Sequence, residues 1–206
     1  RGATLDGMTL QRTIRLAALA SVLAGAILAP VQAQEGGAPP NPPADGGDET
    51  GIDRLFAQLA KPEQPGWKQI EEAIVLELSK SGSPAMDLLL QRGREAIDEG
   101  EIDVALEHLT ALTDHAPGFA EGWNTRATAH FQAERYGLAM RDLARALEIE
   151  PRHFGAMIGL ATILREVGRE EEALQVLREV HEIHPHRPNV NEGIERLSAS
   201  LEGETL

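Results

Sequence analysis

Prolines 117, 151 and 185 stand 34 residues apart, as do alanines 105, 139 and 173 and leucines 109, 143 and 177. A chain with this period folds as stacked copies of one supersecondary unit, because a unit so short cannot bury its apolar face alone. The recurrence divides the chain into units 86–119, 120–153 and 154–187 without an insertion. Within each unit, two stretches of helical periodicity flank a break: Gly100 in the first, Glu134 in the second, Gly168 in the third. A glycine at such a break can adopt the left-handed conformation that stops one helix and turns the chain back. Each unit is expected to be a helical hairpin. The alanines mark close helix crossings, and each proline ends a second helix.

Leu89-Gly93-Ala96, Trp123-Ala127-His130 and Met157-Ala161-Leu164 occupy equivalent places in the three units. They are followed by Ala105-Leu109-Leu112-Pro117, Ala139-Leu143-Ala146-Pro151 and Ala173-Leu177-Val180-Pro185. In residue type and spacing this resembles the tetratricopeptide repeat, over three units of 34, or 102 of 206 residues. The departures are arginines at 92 and 126, where leucine is usual, and no tyrosine near the end of any first helix. The resemblance implies an all-α solenoid of three helical hairpins.

A solenoid needs polar covers at its ends. The stripe Val190, Ile194, Leu197 and Leu201 within 188–206 reads as a C-terminal capping helix with its tail. Residues 52–85, helical in pattern but interrupted by Pro62 and Pro65, read as a degenerate N-terminal hairpin expected to cover the opposite end. Residues 34–51, "QEGGAPPNPPADGGDETG", hold no large apolar side chain and are expected to be a disordered linker.

Upstream, Arg12 and Arg15 precede the 14-residue apolar run Leu16–Ala29, and Val31-Gln32-Ala33 gives a small-residue cleavage pattern. This predicts a signal peptide over 8–33 cut after Ala33, with 1–7 as upstream residues. The run is shorter than the roughly 18 residues of a membrane span, so no membrane insertion is expected after cleavage. A periplasmic location follows as an expectation. The chain lacks cysteine, so packing alone must hold it together, and its net charge of −14 disfavours nucleic acid as a partner.

Seven histidines are the first place to look for chemistry. His181, His184 and His186 could handle a metal, which gives the alternative reading of a metal-handling periplasmic protein. With no cysteine and no acidic ligand placed by a motif, they read better as surface loop histidines, and no cofactor is expected. His130, on the core side of its helix, reads as a satisfied packing residue. No nucleophile elbow, phosphate loop or metal-helix motif is present, so an enzyme is not expected.

What remains is a surface. The resemblance implies a concave groove formed by the first helices and lined by Leu90, Arg94 and Ile97, then Asn124, Thr128 and Phe131, then Ile158, Thr162 and Arg165. Such grooves usually hold a peptide or helix of another protein. The family's clamp for a terminal carboxylate is absent, since Leu90, Thr125 and Gly155 stand near its places. Arg94 and Arg165 are expected to meet polar or acidic groups on the partner, another envelope protein.

Overall fold

The computed structural model describes residues 50–204, and every regular element among them is helical. In chain order these are α1 (Gly51–Leu59), α2 (Trp67–Leu78), α3 (Pro84–Asp98), α4 (Ile102–His115), α5 (Ala120–Gln132), α6 (Tyr136–Ile149), α7 (Phe154–Glu166), α8 (Glu170–Ile183) and α9 (Pro188–Glu204). The leader and nearly all of the linker lie outside the described residues.

The three hairpins α3–α4, α5–α6 and α7–α8 close in the same way. Gly100, Glu134 and Gly168 have φ of 77°, 58° and 75°. At each turn the following amide bonds back to a carbonyl five residues earlier: Glu101 to Ala96 at 2.8 Å, Arg135 to His130 at 2.9 Å, and Arg169 to Leu164 at 2.8 Å. This is the left-handed C-terminal stop that satisfies otherwise orphaned carbonyls. Glu134 adopts it without glycine's freedom, at a cost of roughly 1–2 kcal/mol that the hairpin packing offsets.

Each hairpin stacks on the next, α4 on α5, α6 on α7 and α8 on α9, while α3, α5 and α7 lie side by side. The recurring alanines 105, 139 and 173 are fully buried where paired helices meet. At the α3–α4 crossing a Cβ built on Gly93 would lie 2.6 Å from the Leu109 side chain, so glycine there sets the helix spacing. Leu109 and Leu112 are wholly buried beneath it, each worth roughly 1.5–3 kcal/mol. Along α9, Val190 and Leu197 are buried and Ile194 and Leu201 half-buried against the same cluster as α8, so the apolar stripe covers the end of the third hairpin.

The N-terminal pair does not cover the opposite end. Phe56, Leu59 and Ile74 join one apolar cluster with Phe154, Met157 and Leu164 of the third repeat. Asp53 pairs with Arg152 at 2.8 Å, Glu71 with Arg187 at 2.6 Å, and Trp67 meets the His184 ring edge-on at 5.4 Å. Opposite charges at Arg152 and Arg187 and the rings of Phe154 and His184 hold α1 and α2 against this side of the solenoid. The two helices approach each other closely, but side chains make their attachment to the solenoid.

Candidate partner-binding groove

Side-by-side packing of α3, α5 and α7 forms one face with two open depressions. The first, of about 270 Å³, lies between α3 and α5 and is lined by Arg94, Ile97, Asp98, Glu121, Asn124, Thr125 and Thr128. The second, of about 260 Å³, lies between α5 and α7; Asn124, Thr128, Phe131, Thr162, Gly155 and Gly159 line it, with Ala127, Leu143 and Ile163. Asn124 and Thr128 border both, so the depressions join across α5. Three residues inferred from the repeat pattern stand apart. Leu90 is 2 % exposed and belongs to the core between α3 and α4, not to the groove lining. Ile158 is half-buried against the third-repeat core, and Arg165 is exposed but lines neither depression.

The organising residue of the first depression, Glu121, was not singled out by the sequence. It is buried, yet its carboxylate receives four donors: Arg94 Nη2 and Thr125 Oγ1 (3.4 Å) on one oxygen, His153 Nε2 (2.8 Å) and Asn124 Nδ2 (3.1 Å) on the other. Burial pushes its pKa up, but the hydrogen bond from His153 together with the Arg94 guanidinium outweighs it and holds Glu121 below the ordinary carboxylate value. Ala156 donates its backbone N–H to His153 Nδ1 at 3.2 Å, which assigns the ring hydrogen to Nε2, facing Glu121. His153 thus caps α7 and holds Glu121 with no ring nitrogen left to act as a base. Arg94 is also committed, donating to Ser79 Oγ at 3.2 Å as well as to Glu121, so it is not a free cation for a partner.

Behind the groove, Arg126 makes a bidentate pair with Asp142, Nε–Oδ2 2.6 Å and Nη2–Oδ1 2.9 Å, and donates to Thr113 Oγ1 at 2.7 Å. Its guanidinium also sits 4.7 Å from the Trp123 ring centroid. Arginine replaces leucine here because its charge is matched and its fork geometry filled. His130 is a packing residue, as its place suggested, but not a satisfied one: Nε2 stands 3.7 Å from Asp142 and the buried Nδ1 has no hydrogen-bond partner among the described residues.

The C-terminal histidines diverge. His184 is fully buried rather than on a surface loop, directing Nε2 to Glu71 at 3.1 Å, because α1 and α2 cover it. His181 Nδ1 meets Asn191 Oδ1 at 2.8 Å, and His186 Nε2 meets the Lys61 carbonyl at 2.8 Å. Among the described residues no three His, Asp or Glu side chains converge in a manner suited to a metal.

Tetratricopeptide repeat models match residues 90–150 and 130–197. A TPR repeat-containing protein of Rhizobium etli is 36 % identical over 153 residues, 74 % of this chain and 75 % of that protein. Among solved structures, the first TPR of Spaghetti (RPAP3), bound to the HSP90 peptide SRMEEVD, superimposes with a TM-score of 0.56 at 21 % identity, over 58 % of this chain and 95 % of that one. The Sgt2 TPR domain of Aspergillus fumigatus gives 0.56 at 19 % identity, over 60 % and 83 %. Repeat period, hairpin geometry, a relative matched along most of its length and the family models agree: the chain belongs to the tetratricopeptide repeat family.

Proposed function

We propose that this protein is a non-enzymatic adaptor that holds a segment of another protein on the concave face of α3, α5 and α7. The observation that carries the reading is the open depression between α5 and α7. Its walls mix the Phe131 ring with the polar side chains of Asn124, Thr128 and Thr162, and glycines 155 and 159 leave part of the α7 wall bare backbone. A partner's main chain can approach closely there while one of its side chains is anchored. That the first TPR of Spaghetti binds a peptide supports the same use of the fold. The Met8–Ala33 leader pattern supports an envelope location, with an envelope protein as partner.

The test is capture from a periplasmic extract of the producing cell, with partner identity read by mass spectrometry and the native N-terminus sequenced. Export predicts Gln34 as the first residue. Replacing Phe131 and Thr162 together by alanine is expected to weaken capture by about 2–4 kcal/mol with helical content unchanged. Capture at wild-type affinity by the double variant would move binding to the convex face, to α9 or to the linker.

A further inference from the structure

The partner's chemistry can be read from the polar atoms that the groove leaves unused, an inference that rests on the concave face being the binding site. Asn124 donates Nδ2 to Glu121, which leaves Oδ1, an acceptor, on the other branch of its amide. Thr128 and Thr162 each donate their hydroxyl hydrogen to the carbonyl four residues earlier, at 3.2 and 2.9 Å. A hydroxyl that has donated its hydrogen can only accept further bonds. The hydroxyls of Thr128 and Thr162 therefore present lone pairs only, and Asn124 presents Oδ1 beside its one uncommitted amide hydrogen.

Charge points the same way. The charged groups lining the depressions are Arg94, Asp98 and Glu121, which sum to 1 − 2 = −1. Arg94 and Glu121 neutralise each other, while Asp98 is exposed and makes no ion pair among the described residues. The Phe131 ring, half-buried at the far side, offers a face that attracts cations. A carboxylate brought beside Asp98, Thr128 and Thr162 would meet lone pairs and a second carboxylate, whereas an ammonium or guanidinium would meet acceptors there.

We infer that the groove takes an extended segment carrying a lysine or arginine, with its cationic head among Asp98, Asn124 and Thr128 and flanking apolar side chains beside Phe131. Main-chain N–H groups of the same segment supply donors for Thr162. This reverses the polarity expected from the two arginines of the sequence, since Arg94 is neutralised and Arg165 stands outside the depressions.

The test uses the full chain and ten-residue peptides that share one apolar frame and differ only at the central residue, Lys, Gln or Glu. Affinity is measured by calorimetry at low and high salt, and amide exchange locates the site. The Lys peptide is expected to bind about two- to fivefold tighter than the Gln peptide, with Glu weakest and the differences shrinking as salt rises. Asp98→Asn should remove the preference and Asp98→Lys should reverse it; the position is exposed, and circular dichroism checks that both variants fold. Equal affinities, or preference for Glu, would overturn the inference while leaving the groove reading in place. If none of the peptides slows exchange in α5 and α7, the groove reading falls and the inference with it.

Discussion

The second and third repeats share one backbone plan but have opposite interiors. Thr113, Arg126, His130 and Asp142 of the middle repeat's packing correspond, 34 residues on, to Leu147, Leu160, Leu164 and Val176. In the middle repeat the four gather around one buried bidentate ion pair. In the third they are buried or half-buried hydrocarbon. The hairpin is built equally well around either set, because the positions that fix helix spacing stay small or aliphatic in both: Ala127 and Ala161, Ala139 and Ala173, Leu143 and Leu177. The difference teaches that the shared skeleton sets the fold, while the variable quartet decides how stability responds to mutation and to pH.

The largest effect is expected on removing one member of the ion pair. Asp142→Ala leaves the Arg126 guanidinium buried without a counter-charge and should cost about 3–5 kcal/mol, read as a shift in denaturant midpoint. Val176→Ala, at the equivalent place, strands no charge and should cost clearly less; equal losses would erase the distinction between the repeats. A second experiment sharpens it by converting one interior to the other. Thr113→Leu, Arg126→Leu, His130→Leu and Asp142→Val introduced together should be neutral or stabilising by about 1–4 kcal/mol, since the desolvation cost of the pair disappears with it. A marked loss of stability would mean that the middle repeat needs its polar interior.

The smallest effect is on pH dependence. His130 and His184 are both held below the ordinary histidine value of 6.5, chiefly by burial, which outweighs the opposing pull of Asp142 on one and Glu71 on the other. Both therefore take up a proton less readily in the fold than in the unfolded chain, which does so below about 6.5. Their stabilising contribution is fully present above that pH and fades as pH falls below it. Hydrogen exchange should show protection of α1 and α2 declining with acid in a manner that His184→Gln suppresses, and protection of α5 and α6 declining in a manner that His130→Leu suppresses. Loss of protection that ignores both substitutions would assign acid sensitivity to other groups.

The repeat was legible because its signals are local: a proline, an alanine and a leucine at fixed spacing, and a turn residue between two helical periods. Even the non-glycine turn at Glu134 could be located, since the flanking periodicities set its place. What could not be read were pairings across helices. Arg126 and Asp142 are 16 residues apart and Arg94 and Glu121 27 apart, and periodicity carries no information on which interior charge meets which. A signal for the first pair did exist: an arginine and an aspartate both stand where the next repeat has Leu160 and Val176, a double departure of opposite sign. No comparable signal linked α2 to the third repeat, because Glu71 and His184 lie 113 residues apart and outside the repeat register. Of the residues that the family resemblance placed in the groove, Arg94, Ile97, Asn124, Thr128, Phe131 and Thr162 line the two depressions. Leu90 and Ile158 share one repeat position, and in both repeats a branched aliphatic side chain there packs into the hairpin core, whereas the middle repeat has the polar Asn124.

The concave face that both repeats build is the centre of the functional account, and site-specific photo-crosslinking in the producing cell tests it most directly. A photoreactive residue would be placed at Thr128, exposed on the groove, and in a separate protein at Arg178, exposed on α8. The account predicts a discrete adduct with one partner protein from position 128, absent when Phe131→Ala and Asp98→Lys are added, and none from position 178. An adduct from position 178 that survives those groove substitutions, with none from position 128, would contradict it.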